Sequence, residues 1–268
     1  MKRLALFLAL TAALTFCVGP FLWQVMASLR PEAEQTRRDL PEHLTLQAYR
    51  QVFEEHAFAR VLATSFAVAT LTTLLCLVVG SLAAFALARL PVPARGALLA
   101  AALGASMFPP IATVGPLFLA VRAAGLRDHI AGLVVPYTTF ALPLTLWVLT
   151  THFRELPIEL YRAAKIDGCT SFGAFRRVLL PLAAPGLVTT ALLVFIFSWN
   201  EFLYALTFTS SPAHRTVPVA IALFSSGHTE PWAQIAAASV VVTLPLVVLT
   251  LIFQRRLVAG LTSGAVKG

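Results

Sequence analysis

Few residues in this chain carry side chains suited to covalent chemistry, and their spacing argues against catalysis. Six histidines are scattered, with no metal-ligand spacing among them. Of Cys17, Cys76 and Cys169, two lie in apolar runs, and no C-x-x-C occurs. Neither a disulfide framework nor a zinc site is indicated. No Gly-x-Ser-x-Gly is present, and the phosphate-cradling G-x-x-x-x-G-K-[ST] is also missing. ATP hydrolysis, if the protein uses it, therefore belongs to a partner. Asn200 and Glu201 stand at the end of an apolar run. An ionisable group at membrane depth is a functional candidate. These two residues either line a solute path or bond a neighbouring helix.

The segment with the most specific pattern is Leu156–Pro181. Its spacing reads as helix, turn, helix. Pro157 suits a first helical turn, where its missing N–H costs nothing. Gly168 suits a left-handed C-cap. Thr170 or Ser171 can cap a second helix, which Pro181 limits. Ala163 and Ala164 are small enough for another surface to approach the backbone. Glu159, Arg162 and Asp167 supply charge around them. A short helix of this kind is built to dock into a groove.

The elements that position this segment are apolar. The chain has 268 residues, of which 58% are hydrophobic and 12% charged. A soluble domain carries about twice that charge fraction, so the bilayer is the natural solvent. A spanning helix needs about 20 apolar residues. Six runs free of Asp, Glu, Lys and Arg qualify: Leu4–Leu29, Val61–Ala88, Gly96–Val121, Ile130–Phe153, Val178–Asn200 and Pro231–Gln254. The first is longer than a signal-peptide core of about 7–15 residues, so an uncleaved first span is expected. Pro109-Pro110, Gly115-Pro116, Pro136 and Pro143 are expected to interrupt the third and fourth runs, marking a pathway face or simple kinks.

Net charge is +8. No Lys/Arg stripe with interleaved aromatics occurs, so nucleic acid is not expected as a partner. Basic loops flanking spans explain the charge. With a cytoplasmic N-terminus, 12 of the 20 Lys and Arg fall inside and 8 outside. The first outer loop, Arg30–Arg60, is too small for an enzyme domain, and Thr45 can cap a short helix from Leu46 to about Glu55. The last outer loop, about 206–231, is long enough for a functional contact.

The 162–181 segment resembles the E-A-A-x-x-x-G-x(9)-I-x-L-P motif of binding-protein-dependent ABC importer permeases. Ala163, Ala164, Gly168, Leu180 and Pro181 match, Val178 replaces Ile, and Arg162 stands where Glu is usual. Further stretches resemble the second permease subunit of carbohydrate importers of the maltose-importer type. They are Ser28–Pro31, Leu44–Leu46 with Tyr49, Trp199–Phe202 and the tail Gly260–Gly268. The resemblance implies an all-α membrane protein with six transmembrane helices and a type I ABC importer permease fold. It divides the chain into 1–60, a first helix and outer loop; 61–256, a five-helix core with a coupling loop at 154–181; and 257–268, a cytoplasmic tail.

By the same resemblance, Glu159, Arg162, Ala163, Ala164, Asp167, Gly168 and Pro181 couple to an ATPase. Either Glu159 takes over the role of the missing Glu, or the ATPase offers an acid to Arg162. Gly264 and Lys267 in the tail would touch the same partner. No cofactor is expected on this chain, ATP and Mg being on the ATPase. Implied partners are two ATPase copies, a homologous permease, an extracytoplasmic sugar-binding protein and lipid. The implied setting is the plasma (inner) membrane of a bacterium or archaeon, with both termini cytoplasmic. An ion-coupled secondary transporter would carry charged midspan groups and repeated halves, and a membrane enzyme would need a catalytic constellation; neither pattern appears.

Overall fold

The computed structural model describes residues 2–35, 41, 43–224 and 230–262, with side chains described for all of these but Ala33 and 255–262. Among the described residues the secondary structure is helical, without strands. The long elements are α1 (Lys2–Ser28), α3 (Phe58–Arg89), α6 (Ile130–Glu155) and α13 (Trp232–Thr262). These four, α13 counted to Gln254, are long and apolar enough to cross a membrane. A short helix, α2 (Gln47–Glu55), separates α1 from α3. Thr45 Oγ1 accepts from the Gln47 N–H, while the cap position itself falls on Leu46, one residue later than expected.

Two of the six expected runs are not straight spans. The third divides into α4 (Arg95–Ser106) and α5 (Pro110–Ala123), bent by 93°. Pro109 has no N–H to continue α4, and Pro110 pushes Pro109 into extended backbone with ψ 128. The fifth divides at Ala183, where the segment from Ser171 to Leu182 meets α10 (Ala184–Asn200) at 77°. Among the described residues, four helices are long and apolar enough to cross a membrane, or six if each bent pair is one span. Gly115-Pro116, Pro136 and Pro143, expected as interruptions, lie inside continuous α5 and α6. Proline removes one donor, but the remaining ladder carries the helix through.

The chain forms two compact units. The first comprises 1–63 and 217–247, and the second 64–216 and 248–268. The first includes the short helix α12 (Val217–Ala222). Within it, Val52 and Phe58 pack with Val217, Phe224 and the small stripe Ala233, Ala237 and Ala238. His56 stacks on Phe224 at 4.2 Å and shares a 2.9 Å hydrogen bond with Gln234. In the second unit, backbone and side chains approach closely where glycine removes bulk. A Cβ on Gly80 would meet Thr145 at 2.4 Å, one on Gly186 the His152 ring at 2.4 Å, and one on Gly132 the Leu126 carbonyl oxygen at 2.2 Å. The second unit also holds α7 (Ile158–Ile166), α8 (Ser171–Ala174), α9 (Leu180–Leu182) and α11 (Leu203–Phe208).

Candidate functional site

The elbow after α6 begins where Leu156 turns extended (ψ 138) and Pro157 takes the N-cap of α7. Pro157 thus stands one position before the first helical turn predicted for it. α7 ends as its composition requires. Gly168 adopts φ +83, its N–H bonds Lys165 O at 3.2 Å, and the Cys169 N–H reaches Ala164 O at 2.9 Å. This pair of bonds is the Schellman closure, which needs a left-handed residue at that point. Thr170 then caps α8 by accepting from the Gly173 N–H at 3.0 Å.

Beyond α8 the backbone slips into a π turn at Phe175–Leu179, closed by the Leu180 N–H on Phe175 O. Pro181 cannot donate to the carbonyl four residues back, and the register loosens just before it. Pro181 does not end this helical stretch as expected. It lies within α9, and the bend comes two residues later, at Ala183.

One face of α7 is anchored. Ala164 is buried, while Tyr161 and Ile158, three and six residues earlier, are half-buried. Tyr161 Oη lies 3.1 Å from Ser171 Oγ and its ring meets Phe85 at 6.0 Å. Phe85 also packs on Phe153 and Phe175, forming an aromatic cluster shared by α3, α6 and the elbow. Each such pair contributes about 0.5–1.5 kcal/mol beyond its buried area. Arg89, the last residue of α3, donates from Nη2 to the carbonyls of both Phe153 and Leu156. It thereby caps the C-terminus of α6, where cations are favoured. The Glu159 carboxylate attracts the same guanidinium.

The opposite side is bare: Glu159, Arg162, Ala163 and Ile166 are exposed, as are Asp167 and Gly168 at the helix end and Pro181 beyond it. Six of the seven predicted coupling residues therefore share one short helix and its cap. Ala164 is the predicted coupling residue that faces inward, so Ala163 is the small residue available to an approaching surface.

Asn200 and Glu201 sit elsewhere, where α10 gives way to α11. Asn200 is exposed and returns its Nδ2–H to Ile196 O at 2.8 Å. Glu201 accepts the N–H of Tyr204 at 2.9 Å and of Ala205 at 3.1 Å. A carboxylate there satisfies orphan donors and the positive end of α11. The buried Tyr137 hydroxyl faces this carboxylate without hydrogen-bond geometry. Glu201 thus caps α11. Gly264 and Lys267 lie outside the described residues.

A second polar constellation was not visible in the sequence. Asp128, at φ +60, accepts the N–H of Ser210 at 3.0 Å and of Ser211 at 3.1 Å. His214 Nδ1 lies 3.6 Å from its other oxygen and 3.1 Å from Ser211 Oγ. Ser, His and Asp meet here, but serine and carboxylate share one ring nitrogen. A relay would need both nitrogens, so the group is a clamp. Partial burial raises the Asp128 pKa, yet the hydrogen bonds from Ser210 and Ser211 and the neighbouring His214 outweigh it and hold it at about 2. In sequence Arg89 and Asp128 look like ordinary loop charges; only the lone cation closing an apolar run hinted at the former.

Comparison with known proteins matches residues 76–263 to the family described as binding-protein-dependent transport system inner membrane component. The chain is 49% identical over 263 residues to the trehalose transport system permease protein SugB of Mycobacterium tuberculosis, covering 96% of this chain and 95% of that one. It is 40% identical to the trehalose/maltose transport system permease protein MalG of Thermococcus litoralis, over 100% of this chain and 98% of that one. Among solved structures, a bacterial ABC transporter involved in import of the acidic polysaccharide alginate matches with TM-score 0.81 at 19% identity, over 95% of each chain. The fold is thus that of an ABC importer permease, and the chain belongs to the family of binding-protein-dependent transport system inner membrane components.

Proposed function

We propose that this chain is one of two permease subunits of an ATP-driven importer for a di- or oligosaccharide. The observation that carries the reading is the elbow itself. α7 is fixed on its inner face by Tyr161 and Ala164, follows an α6 terminus braced by Arg89, and is left bare on its outer face. A rigid, outward-facing helix joined to α3 and α6 can pass a push from a partner into the spans. Trehalose and maltose in the names of the similar permeases support the sugar class.

The elbow faces the cytoplasm, with both termini on that side. Two ATPase subunits bind ATP and Mg, and one docks on α7 through Glu159, Arg162, Ala163, Asp167 and Gly168. Pro181, exposed two residues before the bend at Ala183, adds to the coupling surface, and Ala164 seats the helix. The 257–268 tail, with Gly264 and Lys267, contacts the same ATPase. A homologous permease completes the pore, and an extracytoplasmic binding protein delivers sugar to the 61–256 core. Closure of the ATPases rocks the spans between inward- and outward-open states. This chain makes and breaks no substrate bond.

The test is reconstitution of both permeases with the ATPase in liposomes. Trehalose with its binding protein should stimulate ATP hydrolysis and drive uptake into the lumen. Uptake driven by an ion gradient without ATP would overturn the reading.

A further inference from the structure

We infer that the ATPase groove receiving α7 is lined by a carboxylate that meets Arg162, beside an apolar pocket that takes Ile166. This rests on the assignment of α7 to the ATPase and specifies the chemistry of that contact. At about 100° per residue, Arg162 and Ile166 fall together on the side of α7 directly opposite Ala164. The exposures agree: Ala164 is 5% exposed and Ile166 86%. Arg162 is exposed and has no ion pair or hydrogen bond among the described residues. An isoleucine this bare beside an unanswered guanidinium marks a surface awaiting a partner with both an apolar and an anionic component.

The neighbouring charges do not supply that anion. Glu159 flanks the same face, but its charge is drawn toward Arg89, and Arg89 is fixed on the Phe153 and Leu156 carbonyls. Glu155 lies 3.8 Å from His152 Nδ1. Asp167 sits about 140° around the helix from Arg162. Lys165, Arg154, Arg176 and Arg177 add exposed positive charge around the elbow. Guanidinium is the cation best suited to a fixed two-pronged contact with a carboxylate.

An anionic lipid surface is the other way to satisfy Arg162 and Ile166. Glu159, exposed and about 60° around the helix from Arg162 and about 20° from Ile166, argues against it. A flat anionic surface would meet Glu159 as well, whereas a groove can place its single acid opposite Arg162.

The experiment uses the assembled transporter. ATPase retained on the purified permease pair is measured for the wild type, Arg162→Gln, Arg162→Glu and Ile166→Ser, each checked for an unchanged melting temperature of the permease pair alone. Arg162→Glu should lower ATPase affinity about tenfold, with Arg162→Gln intermediate. Rising salt should weaken the wild type more than Arg162→Gln. Replacing one acid of the ATPase groove by Lys should restore binding to Arg162→Glu. Equal retention by all four proteins would overturn the inference while leaving ATPase docking intact. Failure of the wild type to retain ATPase would overturn the underlying assignment instead. Loss that tracks the anionic lipid content, with no groove acid able to rescue, would also overturn it in favour of the membrane.

Discussion

Asp128 is held by geometry that only the folded chain provides: two backbone N–H groups and the His214 ring converge on one carboxylate. Its depressed pKa fixes the sign of a pH effect. The ordinary value is 3.8 and the folded value about 2. The clamp therefore contributes stability fully above pH 3.8 and loses it as pH falls toward 2. Removing the carboxylate in Asp128→Ala should lower the melting temperature in detergent at pH 7 and still at pH 5. The gap from wild type should close as pH falls through that window. A gap that widens on acidification would contradict the assignment. Nothing in the sequence announced this residue, because its partners are some eighty residues away and two of the donors are backbone groups. Gly168 is the opposite case: a left-handed C-cap is a local need, and the residue type alone foretold it.

At the scale of elements, Arg89 braces the joint between α3, α6 and α7. Without it the Phe153 and Leu156 carbonyls at the end of α6 lose their donor. A charge-assisted bond of this kind contributes about 1.5–3 kcal/mol. Arg89→Ala should raise amide hydrogen exchange across Leu156–Ile166 by tenfold or more, and leave exchange in α1 unchanged. Unaltered exchange in α7 would show that the aromatic cluster of Phe85, Phe153 and Phe175 holds the joint by itself. The element boundaries were legible to within a few residues where apolar runs ended in charge, as at Ser28 and Arg89. They were not legible where proline acted. Pro109-Pro110 turned one apolar run through 93°, whereas Pro136 and Pro143 left α6 continuous. The difference lies in two adjacent missing donors against isolated ones, and in packing that composition does not report. The run that ends at Asn200 also hid the bend at Ala183, since a change of direction leaves no trace in hydropathy.

The whole molecule reads as an incomplete assembly. α1 is exposed along nearly its entire length, with Phe7, Phe16 and Leu22 each more than half exposed. That surface suits lipid and a second permease. On the proposed reading, the helical elbow is the part of the chain that meets a water-soluble partner. The most direct measurement of this claim is site-specific crosslinking of Ala163→Cys in a chain whose Cys17, Cys76 and Cys169 have been replaced. In membranes holding the full transporter, the introduced thiol should crosslink to the ATPase subunit and resist a membrane-impermeant thiol reagent added from outside. Labelling of that thiol from the exterior, or no ATPase crosslink while uptake persists, would contradict the account.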